Sequence, residues 1–66
     1  MRVVWTLRDE NGALHECLLG PHEDGGVRVL LAVNGVPMIG RRCADEAEAD
    51  YVVRAWHQDT SRGLAS

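Results

Sequence analysis

Apolar and polar residues alternate with period two through most of the first 42 positions of this chain, and the pattern then turns helical. "RVVWTLR" at 2–8 reads as a strand, "DENG" at 9–12 as a turn and "ALHECLL" at 13–19 as the returning strand. "GPHEDGG" at 20–26 has the Gly, Pro and Asp content of a loop, expected to be the longest and most mobile connection. A second hairpin follows in "VRVLLAVNGVPMIGRR", where Asn34-Gly35 sits between two apolar runs. Both residues of such a two-residue turn must accept positive φ, which Asn and Gly do most readily. From Cys43 onward the sequence predicts a helix over about 46–60. Asp45 and Glu48 form a variant capping box, Ala47, Tyr51 and Ala55 form an apolar stripe beside Val52 and Trp56, and Gly63 acts as terminator. Residues 61–66 are expected to fray.

The implied fold is α+β: a four-stranded antiparallel meander with one C-terminal helix packed on one face, ββββα, in a single domain over 1–66. Counting outward from the turns places Trp5, Leu7, Leu14, Leu18, Val29, Leu31, Val33, Val36 and Met38 beneath the helix. Glu16 shares that parity, which is at odds with an apolar core and points to the sheet margin or to a bulge near Cys17. Pro37 lacks an N–H and suits an edge, so the fourth strand is expected to be one edge and the first strand the other. Four strands span roughly 15–19 Å, whereas a helix is about 10–12 Å wide, so much of the sheet is left uncovered.

The side opposite the helix therefore draws attention. The same count gives it an interaction face of Val4, Arg8, Leu19, Arg28, Leu30, Ile39 and Arg41, with Arg2, His15 and Cys17 alongside. Apolar groups there mix with four arginines and no carboxylate, and Arg28 is expected to face Arg41 as a like-charge pair. The whole chain is nevertheless acidic, at net charge −3, with seven arginines and no lysine. That balance argues against nonspecific nucleic-acid binding by the chain as a whole. Sixty-six residues bury a modest share of their surface, and self-association is one common remedy.

Two cysteines are too few for a disulfide framework, and the chain shows neither an apolar leader pattern nor an apolar run long enough to span a bilayer, so a cytoplasmic setting is expected. His15, Cys17, His22, Cys43 and His57 have poor metal-ligand spacing, and no metal or other cofactor is expected. A Cys17–His15 nucleophile pair would need an orienting group and an oxyanion site that the sequence does not supply. Gly25-Gly26 precedes a strand rather than opening a helix, which argues against a phosphate loop. Trp5 and Trp56 read as core neighbours.

In outline, "GVRVLLAVNGVPMIGRR", the acidic helix start and a tryptophan late in the helix resemble small uncharacterised bacterial open reading frames of similar length. That resemblance implies no activity. The ββββα order is also similar to Whirly-type single-stranded DNA binders, although their lysine-rich, aromatic character is missing here. The expectation is thus a non-catalytic protein-interaction or accessory module. It would form a homodimer, or bind another protein, through the uncovered face or an edge strand. A single-stranded nucleic-acid module using the arginine-bearing face is the alternative, and no membrane partner is expected.

Overall fold

A computed structural model describes residues 1–65, with Ser66, the last residue of the expected tail, outside the described residues. The chain forms β1 (Arg2–Arg8), β2 (Leu14–Pro21), β3 (Val27–Val33), β4 (Val36–Cys43) and α1 (Glu46–Ala65). The strands make one antiparallel sheet in the order β1-β2-β3-β4. This is the α+β meander, with β1 and β4 at the edges.

The three turns determine which side chains face the helix. Asn34 and Gly35 take φ of 52° and 81°, as a two-residue turn requires, and Val33 pairs with Val36 across it. The Asn34 side chain also accepts a 2.9 Å bond from the Leu14 amide, so this turn reaches back to the start of β2. Between β1 and β2 the connection has five residues, 9–13. Asp9 N–H donates to the Ala13 carbonyl, Gly12 N–H donates to Asp9, and Asp9 Oδ1 accepts the Asn11 and Ala13 amides at 2.9 Å. "HEDGG" repeats the arrangement: His22 N–H bonds the Gly26 carbonyl and Gly25 N–H bonds His22. The expected mobile loop is therefore a compact turn, and β2 runs on to Pro21.

An odd number of turn residues reverses the facing of β2 relative to the expectation. Leu7 pairs with His15 and Trp5 with Cys17. Cys17 and Leu19 thus point toward the helix, while Leu14, Glu16 and Leu18 point away. Two single-residue irregularities complete the pattern. Val4 has no partner in the β1–β2 register, and Met38 is skipped between Ile39, which pairs with Leu31, and Pro37, which pairs with Ala32. The second shift brings Arg42 rather than Arg41 opposite Arg28.

The core consists of Cys17, Val29, Cys43, Ala49, Val52 and Val53, with Trp5, Leu19, Val27 and Trp56 packed against it. On α1 the inward stripe is Ala49, Val52, Val53 and Trp56 at helical spacing, while Tyr51 is 73% exposed and Ala47 is also exposed. The expected Ala47–Tyr51–Ala55 stripe is therefore out of phase: the inward line runs through Val52 and Trp56, the residues expected beside it. Asp45 Oδ1 accepts the Glu48 amide at 2.9 Å, and Glu48 Oε2 accepts the Ala44 amide at 3.2 Å. The capping box forms with its return bond one residue earlier than usual. Gly63 does not stop the helix, which continues to Ala65, so the expected frayed segment is helical through that residue.

Helix α1 begins beside the end of β4 and reaches β1, where Trp5 Nε1 donates to the Val53 carbonyl at 3.1 Å. The Trp5 and His57 rings meet edge to face at 5.2 Å. This diagonal course leaves the β3–β4 hairpin end without a covering element. Val36 and Ile39 point to the helix side there and remain exposed.

Candidate functional site

Of the expected interaction face, Arg8, Arg28 and Leu30 do lie on the side away from the helix. Leu19, Ile39 and Arg41 lie on the helix side, and Val4 occupies the β1 irregularity. The open side instead carries Val3, Leu18, Leu30 and Gly40 in one cross-strand row, with Thr6, Glu16, Ala32 and Pro37 in the next. It contains a carboxylate, Glu16, and gains Leu14 and Arg42.

The arginines are largely spoken for within the chain. Arg42 Nε donates to Asp24 Oδ2 at 2.6 Å, and Arg41 Nη2 lies 3.7 Å from Glu48 Oε1. Arg8 Nη1 donates to the Gly12 carbonyl at 2.8 Å. Arg28 lies over Gly40 and takes part in none of the ion pairs among the described residues. Asp24 also accepts the Gly26 amide, and this bond, followed by the Arg42 guanidinium, holds its carboxyl below the usual range. A phosphate backbone approaching the open side would therefore compete with Asp24 for Arg42.

The cysteines are poorly placed for nucleophilic chemistry. Cys17 and His15 do share the helix side of β2, but Cys17 is fully buried and burial pushes its thiol up to about 11. Burial, followed by the charge of Glu48, also raises the Cys43 thiol. The two cysteines stand two strands and four residues apart, about 16 Å by sheet spacing, well beyond disulfide reach. No group of three metal-ligating side chains comes together among the described residues. An open groove of about 920 Å³ runs past Arg2, Gly20, Pro21 and Gly26 to the start of α1, where Asp45 already caps the helix.

His15 has a structural partner: its Nε2 lies 3.1 Å from Asp9 Oδ2, with both side chains less than one-fifth exposed. This contact, then the Ala13 amide, lowers the Asp9 carboxyl pKa. Because the folded-state pKa is depressed, the stabilisation is present above the ordinary carboxylate range and is lost as pH falls through the lowered value. Acid titration followed by carbonyl chemical shift should show Asp9 protonating below the exposed carboxylates. Asp9→Asn should flatten the acid limb of the stability curve. An Asp9 that titrates at the ordinary aspartate value would refute the turn geometry.

The sequence places β4 at a sheet edge but sets Val36 and Met38 beneath the helix, where they are not covered. Val36, Met38 and Ile39 on this strand are 57%, 62% and 53% exposed. The signal was present in Pro37 and in the four apolar or imino residues of "VPMI", which cannot all face one core from one strand. Among the described residues, no helix is long and apolar enough to cross a membrane. No family model, curated protein or solved structure matches the chain.

Proposed function

We propose that this chain is a small non-catalytic interaction module that self-associates along its exposed strand β4. The observation that supports this most is the end of the sheet: an eight-residue strand with no neighbour on its outer side among the described residues, carrying Val36, Met38 and Ile39 more than half exposed. Such an edge is a template for another strand unless charge, irregularity or a covering element blocks it. β1 is better guarded. Both edges carry an irregularity and arginines, but on β1 Val53 and His57 of α1 also pack against Trp5. The buried, widely separated thiols suit a reducing compartment such as the cytoplasm.

The in-chain pairing of Arg41 and Arg42 favours assembly over nucleic-acid binding, because it reduces repulsion between copies and, at Arg42, occupies a cation of the open side that phosphates would need. Sedimentation equilibrium of the purified chain over a hundredfold concentration range should show a monomer–dimer transition. A monomer at every concentration, together with salt-sensitive binding of short single-stranded oligonucleotides, would replace this reading with the nucleic-acid one.

A further inference from the structure

Self-association along β4 leaves open how two copies line up, and charge together with backbone direction restricts the answer. Resting on the preceding reading, we propose that a second copy of this chain pairs antiparallel with β4 so that Gly40 lies on the two-fold axis. The two sheets then join into one of eight strands, with both helices on the same side.

Backbone direction comes first. In a two-residue hairpin the closing pair, Val33 with Val36, exchanges both backbone bonds, and pairs then alternate along the ladder. Beyond the irregularity at Met38, the pairs Leu31–Ile39, Val29–Arg41 and Val27–Cys43 are of the bonded kind, while Leu30–Gly40 and Arg28–Arg42 are not. The Cys43 carbonyl agrees with this, since it points inward, 2.6 Å from where a Cβ on Gly26 would stand. Gly40 and Arg42 consequently turn their N–H and C=O groups outward, where a second strand can take them.

A two-fold axis perpendicular to the sheet sets one residue opposite its own copy. With Arg41 or Arg42 there, like charges would meet at the shortest cross-strand distance, which destabilises the pair. Placing Ile39 there would bring Pro37 and Val36 into register with Arg41 and Arg42 of the second copy. The outward-facing groups of Arg42 would then meet Val36, whose own backbone groups are bonded inward to Val33. With Gly40 on the axis, Ile39 faces the second copy's Arg41 and Met38 faces its Arg42. Arginine stems then lie along apolar side chains, and each guanidinium keeps its own acid, Glu48 or Asp24. Gly40 adds no side chain where the two backbones approach.

Two kinds of variant test the register. A cysteine at Gly40 is tolerated, because its Cβ would meet the Leu30 side chain at an ordinary 3.5 Å. Two bonded antiparallel partners have Cα atoms about 5.5 Å apart, within disulfide range. Gly40→Cys should therefore form a covalent dimer under mild oxidation, while Thr6→Cys on β1 does not. Ile39→Lys and Ile39→Glu lose the same apolar contact and differ only in the charge set against the second copy's Arg41, twice per dimer. The lysine variant should dimerise roughly five- to tenfold more weakly than the glutamate variant in low salt, with the gap closing at high salt. A wild-type chain that remains monomeric would overturn both this inference and the function it rests on. A wild-type dimer in which Gly40→Cys cross-links no faster than Thr6→Cys, or in which both Ile39 variants behave alike, would overturn the register alone.

Discussion

Val52→Asp leaves the chain unfolded at room temperature, whereas Tyr51→Asp, one position earlier, moves the melting temperature by no more than about 2–4 °C. Val52 is 1% exposed and packs among Cys17, Val29, Cys43 and Val53, none of which can pair with a carboxylate. A domain of this length has roughly 3–10 kcal/mol of net stability. Burying an unpaired carboxylate costs several kcal/mol even after its pKa has risen. Tyr51 stands outside that packing at 73% exposure and loses almost nothing on replacement. Far-UV circular dichroism and thermal melting of both variants separate the two helical phases directly. A folded Val52→Asp with an unfolded Tyr51→Asp would mean that α1 docks through the other stripe.

The second large effect comes from a single deletion. Removing Ala13 shortens the β1–β2 connection from five residues to four and takes away one of the two amides held by Asp9 Oδ1. If β2 keeps its bonds to β1, every side chain on it changes sides. Glu16 would then enter the helix side, and Cys17 and Leu19 would leave it. The expected result is loss of cooperative unfolding, with Cys17 alkylated at least tenfold faster than in the intact chain, because its protection rests on burial. Thiol labelling read by mass spectrometry provides the measurement. Slow labelling with a sharp unfolding transition would show that this turn does not set the facing of β2.

These two variants probe the features that were hardest to read from the sequence. Strand existence, the Asn34-Gly35 turn, the helix start at Glu46 and the edge position of Pro37 all follow from local chemistry that a few adjacent residues express. Facing is different, because it depends on counting, and one unpaired residue reverses it. "DENGA" can close as four residues or five, and the choice is made by Asp9 bonding the Ala13 amide. Glu16 carried the clue: a carboxylate among core positions signals a miscount, and on the open side it needs no further explanation. The same holds at Met38, whose irregularity moved Ile39 and Arg41 to the helix side and brought Arg42 opposite Arg28. Gly63 misled for another reason. Helix propensity at glycine is poor by about 1 kcal/mol, which one residue near the end of a docked helix can absorb. The exposure of Val36, Met38 and Ile39 on β4 depends on the diagonal course of α1, which no local pattern in the sequence expresses.

That diagonal course also bears on how the chain reaches its native state. Every strand pairs with its neighbour in sequence, so the sheet can grow hairpin by hairpin over short loops. The bond from the Trp5 indole to the Val53 carbonyl, by contrast, spans 48 residues. Its closure entropy is best met after the intervening hairpins have shortened the effective loop. Docking of α1 onto β1 is then the late event in folding, and the indole of Trp5 is the side chain placed to report its rate.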